Sequence, residues 1–204
     1  MENIKQHWEN VFTTKSPEEV SWFQQYPKTS MEFLELFNLP LTANIIDIGG
    51  GDSNLVDALL EKGYTNIWVL DISAAALERA KNRLGDKANQ VHWIVTDITE
   101  FKPAVKFDFW HDRAAFHFLT TDAAINEYIA IAEQAINPNG YLLLGTFSEN
   151  GPEKCSGLQI KQYNEASMSA RFELSFNRIK CINENHITPF NTVQNFLFCS
   201  FQKK

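Results

Sequence analysis

Residues Ile45-Ile46-Asp47-Ile48-Gly49-Gly50-Gly51-Asp52-Ser53 decide how this chain is read, because an apolar run carrying one acid passes directly into three consecutive glycines. The chain has 204 residues and only nine glycines, about two thirds of what average usage of roughly 7% would supply. Three of the nine stand together here, so the turn needs a local reason. Glycine lets a backbone come close to a ligand and aim its N–H groups at it, which side chains would prevent.

Working outward, short apolar runs alternate with amphipathic stretches. The run at 45–48 reads as a strand, and Leu55, Val56, Leu59 and Leu60 mark one face of a helix. Residues 67–70 read as a second strand, followed by a helical stripe of Leu77, Ala80 and Leu84. Strands at 91–95 and 107–110 follow. A helix over 122–135 stops at the breaker Asn137-Pro138-Asn139-Gly140, ahead of a strand at 141–144. A weak helix over 164–172 then precedes two longer strands, 174–182 and 193–201, read as a hairpin that adds an antiparallel edge. On the N-terminal side, Ser16-Pro17-Glu18-Glu19 and Thr29-Ser30-Met31-Glu32 each read as the capped start of a short helix. The expected fold is α/β, a mostly parallel sheet with helices on both faces and right-handed crossovers. One domain is expected over 1–204, with 1–40 as a helical cover and 41–204 as the core.

Composition narrows the function classes. A chain of this size can bury roughly 70% of its unfolded surface in one core, and the 16 Phe and 5 Trp supply aromatic filling for it. Acids outnumber Lys and Arg by 25 to 18, giving a net charge of −7; such a surface repels nucleic acid and anionic membrane. Three cysteines without a CxxC spacing give no readable disulfide framework and favour a reducing cytoplasm. With no signal-peptide pattern and no apolar run of membrane-spanning length, the protein is expected to be soluble, unprocessed and cytoplasmic.

In an open parallel sheet, ligands bind beyond the carboxyl ends of the strands, where the glycine turn lies. A dinucleotide fingerprint would need glycine or alanine at Asn54, so that match fails. Asp47, beside the turn, would repel a diphosphate and receive a cation. Asp71 ends the second strand, 20 residues after Gly51, where a carboxylate can accept both hydroxyls of a ribose. Asp97 follows the third strand, where it can accept from the exocyclic amine of adenine. Alone, each acid is a cap or turn residue. Three on consecutive strands beside a glycine turn read as a site.

With those residues in view, the chain resembles the class I S-adenosylmethionine-dependent methyltransferases. Asp47-Ile48-Gly49-Gly50-Gly51-Asp52-Ser53 matches the acidic-x-G-x-G-x-G turn except that Ser53 replaces the last glycine. Asp71 matches the ribose-binding acid, Asp97-Ile98 the adenine-binding pair, and Asn137-Pro138-Asn139-Gly140 the turn before the fifth strand. The resemblance covers about residues 44–204 and implies a seven-stranded sheet with one reversed strand. It implies S-adenosyl-L-methionine as cofactor, S-adenosyl-L-homocysteine as product, and a cofactor-binding set of Trp22, Asp47, Gly49, Gly50, Gly51, Ser53, Asp71, Ile72, Asp97, Ile98 and His111. Ser53 accepts the cofactor only if its side chain turns away or bonds to it.

Two further stretches, His7-Trp8-Glu9 with Pro17-Glu18-Glu19-Val20-Ser21-Trp22-Phe23, and Trp110-His111-Asp112-Arg113 with Phe116-His117-Phe118-Leu119, resemble a bacterial subgroup related to trans-aconitate and thiopurine methyltransferases. A small-molecule acceptor is expected, with a protein (lysine) methyltransferase or a non-catalytic binding protein as the alternatives. No nucleic acid, membrane or metal is expected, and the chain is expected to be a monomer or weak homodimer.

Methyl transfer from a sulfonium is an in-line displacement, so the protein mainly aligns the reactants and excludes water. The resemblance puts His111, Asp112 and Arg113 near the reacting methyl group as candidate catalytic residues. His111 is either a general base or a source of backbone contacts. Arg113 either holds a substrate carboxylate in its fork or pairs with Asp112 or another acid. His117 is off the helical face that would let it share a metal with His111, so a capping or core role is expected. Trp22 and Phe23 either close over the cofactor or pack on the sheet edge, and Cys155 reads as an inert loop thiol.

Overall fold

The structure is a computed structural model that describes residues 2–204. Helix α1 (Glu2–Thr14) leads through a 3-10 turn (Pro17–Glu19) to α2 (Lys28–Phe37). Then follow β1 (Asn44–Ile48), α3 (Leu55–Lys62), β2 (Asn66–Asp71), α4 (Ala74–Leu84), β3 (Val91–Val95), β4 (Phe107–Arg113), α5 (Asp122–Ala135) and β5 (Ile136–Phe147). A small hairpin, β6 (Lys154–Cys155) and β7 (Leu158–Gln159), precedes α6 (Glu165–Phe172), β8 (Phe176–Ile187) and β9 (Val193–Lys203). Seven strands form one sheet in the order β3-β2-β1-β4-β5-β9-β8. Strand β9 runs antiparallel to both β5 and β8, while the pairings among β1 to β5 are parallel. This is the expected α/β sheet with one reversed strand.

Side chains alternate across each strand, and the two faces bury separate cores. Ile45, Val69, Phe109, Leu143 and Phe198 pack beneath α2 and α3. Ile46, Leu70, Trp110, Leu144 and Leu197 pack beneath α5 and α6. Both faces being covered explains why the parallel strands read as continuous apolar runs.

Several details depart from the sequence reading. The N-terminal segment is dominated by α1, and Ser16 starts only a 3-10 turn, its N–H donating to Glu19 Oε2 at 2.8 Å. Helix α2 starts two residues earlier than the Thr29 cap implied, with Pro27 as its N-cap. A proline has no N–H to leave unpaired there, and Thr29 and Ser30 fall inside the first turn, both buried. Strand β5 begins at Ile136 rather than 141, through an irregular stretch in which Asn139 takes φ 62° and the pairing with β4 shifts register. The terminal strands are longer than read from the sequence and meet at a turn where Thr188 accepts the Thr192 amide at 3.2 Å. Cys181 and Cys199, facing across β8 and β9, are joined by a disulfide that the sequence spacing did not reveal; Cys155 is free and buried. Among the described residues no helix is long and apolar enough to cross a membrane.

Candidate active site

The carboxyl ends of β1, β2, β3 and β4 converge on two adjoining cavities. One, of about 620 Å³, is lined by Asp47, the three glycines, Ser53, Ser30, His111 and the segment from Val20 to Gln24. The second, of about 880 Å³, is lined by Asp71, Ile72, Asp97, Ile98, Ala114, Leu119 and Cys155. Phe12, Trp22, Gly49 and Arg113 wall both.

Glycine is required at the turn. Gly49 and Gly51 have φ of +62° and +51°, a region that L side chains rarely adopt. A Cβ on Gly50 would come within 2.7 Å of Asp47 Oδ2, and one on Gly51 within 3.3 Å of Asp71 Oδ2. The glycines therefore keep two carboxylates next to bare backbone. The Ser53 side chain is held beside this floor: its hydroxyl accepts the Leu55 amide at 3.3 Å at the start of α3 and donates to Asp47 Oδ2 at 3.4 Å.

Asp71 is buried, with Oδ1 accepting the Ser73 amide at 2.8 Å. Burial, reinforced by the neighbouring charges of Asp47 and Asp52, pushes its pKa up to about 7. Asp97 caps the 3-10 turn after β3, its Oδ1 accepting from the Thr99 N–H at 2.9 Å and the Thr99 hydroxyl at 2.8 Å. The bland and the functional readings of Asp97 thus coexist, since the capping residue also lines the second cavity.

Strand alternation separates the three residues grouped at the end of β4. Asp47 and His111 are register partners on β1 and β4, and His111 Nδ1 lies 2.6 Å from Asp47 Oδ1. His111 Nε2 lies 2.8 Å from the Ser30 hydroxyl. Arg113, two residues on, shares that face. Its Nη1 donates to the Trp22 carbonyl at 2.9 Å, its guanidinium lies 4.7 Å from the Phe196 ring, and its Nε and Nη2 are shielded without a partner among the described residues. Burial lowers its pKa to about 10, which leaves it charged near neutrality.

Asp112 points the other way. It is fully buried under α5, with Oδ1 accepting the Ala115 and Phe116 amides at 3.0 and 3.1 Å and Oδ2 accepting the Tyr128 hydroxyl at 2.8 Å. It lines neither cavity and forms no pair with Arg113, so its grouping with the catalytic candidates is corrected by the period-two geometry of the strand. Burial raises its pKa to about 6. His117 is a core residue as expected, its Nδ1 accepting the Phe147 amide at 3.3 Å and its pKa pushed down to about 3 by burial. Burial pushes the Cys155 thiol up to about 12, in keeping with an inert thiol.

The cover was only partly legible. Trp22 packs edge-on against Trp8 and Phe12 of α1, and Trp8 against Phe118. Glu9 of α1 accepts the Ala74 and Ala75 amides at 2.7 and 3.1 Å, and the Ser73 hydroxyl at 3.1 Å. In return Arg79 of α4 donates to the carbonyls of Phe12 and Lys15 at 3.2 and 2.8 Å and pairs with Asp52 at 2.9 Å. No site role was read for Glu9, Arg79, Phe12 or Ser30 in the sequence, where Glu9 and Ser30 stand only within longer quoted stretches.

The donor set suits a cationic adenosyl ligand. The charges of Asp47 and Asp52 lie close enough to Asp71 to raise its pKa, and a positive group placed among the three carboxylates relieves that repulsion. A diphosphate would add to it.

Comparison with known proteins agrees. The family described as "Methyltransferase domain" matches residues 46–142. Malonyl-[acyl-carrier protein] O-methyltransferase 2 of Ilyobacter polytropus is 29% identical over 108 residues, which are 52% of this chain and 40% of that protein. EEF1A lysine methyltransferase 2 of Danio rerio is 25% identical over 158 residues, 69% of this chain and 66% of that protein. The chain thus spans about two fifths of the length of the first of these relatives. Among solved structures, the N-methyltransferase NodS of Bradyrhizobium japonicum in complex with S-adenosyl-L-homocysteine superimposes with a TM-score of 0.73 at 18% identity, covering 98% of each chain. The 1,6-didemethyltoxoflavin-N1-methyltransferase of Burkholderia thailandensis gives 0.68 at 16% identity, covering all of this chain and 86% of that one. Residues 46–142 thus resemble a methyltransferase domain, and the chain shares the fold of these solved methyltransferase structures.

Proposed function

We propose that the protein transfers a methyl group from S-adenosylmethionine to a small-molecule acceptor, using one domain in which residues 1–40 cover a core of 41–204. The observation that carries this is the convergence of Asp47, Asp71 and Asp97 with the glycine turn on two joined cavities under an aromatic cover. In this reading Asp71 accepts the ribose hydroxyls, Ile72, Asp97 and Ile98 hold the adenine, and Gly49, Gly50, Gly51 and Ser53 cradle the amino-acid end beside Asp47 and His111, with Trp22 above. When bound, the cofactor supplies an electrophilic methyl group on a sulfonium, whose departure leaves a neutral thioether.

The chain's own residues align and enclose. Phe12 and Trp22 exclude water from both compartments, which strengthens every charge interaction beneath them. The two unpartnered nitrogens of Arg113 suit an anionic group, such as a carboxylate on the acceptor, better than they suit solvent.

A protein acceptor is the second reading, because relatives named as EEF1A lysine methyltransferases match 69% of this chain. Incubation with tritiated-methyl S-adenosylmethionine and size-fractionated cell extract separates the two. Label on small molecules is the expected result; label on protein alone transfers the case to the second reading, and no label in any fraction removes both. Calorimetry with S-adenosylmethionine, S-adenosylhomocysteine and NAD tests the cofactor by itself, where binding of NAD alone would overturn the assignment.

A further inference from the structure

Ser30, His111 and Asp47 form a buried chain. The Ser30 hydroxyl lies 2.8 Å from His111 Nε2, and His111 Nδ1 lies 2.6 Å from Asp47 Oδ1. The three are only 2%, 3% and 3% exposed, and all line the cavity of about 620 Å³ that Arg113 also walls. They come from α2, β4 and β1, so no local turn chemistry explains the alignment. Ser30 is not a cap, since α2 begins after Pro27 with no side-chain cap bond.

Both ring nitrogens of His111 are occupied, so the imidazole does not itself meet an acceptor. With Asp47 on Nδ1, the consistent arrangement is Nδ1–H donating to the carboxylate and Nε2 accepting from the serine hydroxyl. A serine hydroxyl carries one proton and two lone pairs. Donation to His111 leaves the lone pairs for a donor in the cavity. As a mere pin between α2 and β4 the chain would be an expensive choice, because a buried carboxylate costs more than an apolar contact of the same volume.

We propose that Ser30 is a catalytic residue that receives the acceptor's proton, with His111 as the proton sink behind it and Asp47 as a positioning residue that fixes the imidazole. The acceptor class is therefore a nucleophile X–H that must lose a proton to react, such as a hydroxyl, thiol or ammonium. The X–H proton passes to Ser30 Oγ while the Ser30 proton passes to His111 Nε2. The electron pair of the X–H bond stays on X, which bonds to the methyl carbon as the methyl-to-sulfur bond breaks with its pair left on sulfur. His111 then releases the proton to solvent. This rests on the methyl-transfer reading above.

The test combines ring-nitrogen NMR of His111, recorded on protein saturated with S-adenosylhomocysteine, with rates of label transfer to the acceptor fraction found by the extract assay. In the wild type, Nδ1 is expected to be protonated and Nε2 bare, and Ser30→Ala should move the Nε2 resonance while leaving Nδ1 in place. The same substitution should slow transfer about 100-fold at pH 6, with the deficit shrinking as pH rises and more acceptor ionises unaided. Its S-adenosylhomocysteine affinity should stay within about twofold of wild type, and Ser30→Thr should recover part of the rate. A loss confined to cofactor affinity, a rate deficit equal at every pH, or an Nε2 resonance indifferent to Ser30→Ala overturns the relay. Absence of any label would fail the methyl-transfer reading instead, and the NMR arm would still decide the wiring of His111.

Discussion

Glu9 Oε1 accepts the backbone N–H of Ala74 at 2.7 Å, so a carboxylate of α1 closes the first turn of α4 from outside that helix. Its other oxygen takes the Ala75 amide, and the two bonds satisfy donors that a helix start leaves open. Removing an N-terminal cap typically costs about 1 kcal/mol. Glu9→Ala should therefore lower stability by about that amount in denaturant unfolding and raise hydrogen exchange along α1. An α1 exchange rate equal to wild type would show that Glu9 does not hold the helix down.

Asp71 links cofactor affinity to pH. Its pKa in the unliganded protein is raised to about 7 by burial and by Asp47 and Asp52, and the charged form is the one that accepts ribose hydroxyls and favours a cationic ligand. Affinity for S-adenosylhomocysteine should accordingly rise with pH up to about 7 and then level off. Because the folded carboxyl binds its proton more tightly than the unfolded one, stability from this group is full below the unfolded value and is lost as pH rises through about 7. Asp71→Asn should thus bind the cofactor at least about tenfold more weakly, yet unfold less readily than wild type at pH 8, with the advantage fading toward pH 4. Calorimetric titration and thermal melts at several pH values read both; a mutant that loses stability at pH 8 contradicts the sign.

Gly51→Ala is expected to abolish cofactor binding with the fold retained. Its φ of +51° resists any side chain, and the new methyl would press on Phe12 at 3.2 Å and Asp71 Oδ2 at 3.3 Å. Circular dichroism alongside calorimetry distinguishes a blocked site from a lost fold.

Tyr128→Phe should destabilise by about 1–3 kcal/mol, because Tyr128 accepts from Trp110 Nε1 at 2.9 Å and donates to Asp112 Oδ2 at 2.8 Å in a fully buried chain. Urea titration measures it. A change below about 0.5 kcal/mol would mean that water replaces the hydroxyl.

The Cys181–Cys199 bond closes a segment with a sequence separation of 18 residues, a loop size for which cross-linking is worth ~3 kcal/mol. Reductant should lower the melting temperature, and thiol titration in denaturant should find one free group before reduction and three after. Three before reduction would show the pair to be open in solution.

What was legible in the sequence was whatever repeats with a period or breaks it. The parallel strands show as apolar runs because both faces are covered, and the glycine turn shows because nine glycines are otherwise scattered thinly. Asp47, Asp71 and Asp97 were found because strand ends fall at the same level of the sheet. Asp112 was misplaced because a motif read as a string of neighbours ignores that adjacent strand residues face opposite ways. Ser30 and Glu9 were invisible for a different reason: their partners are 81 and 65 positions away, and no local pattern carries that distance. The disulfide belongs to the same class, since only the register of β8 and β9 brings its two sulfurs together.

Phe12 and Trp22 wall both cavities, and that sharing has a kinetic consequence. A ligand that leaves past those rings waits on a local opening of α1 whose cost is set by Glu9, Arg79 and the aromatic contacts together. Turnover would then be paced by the unlatching of a helix rather than by the chemical event, with a temperature dependence as steep as that of local unfolding. Loosening the latch would quicken product release and at the same stroke admit more water.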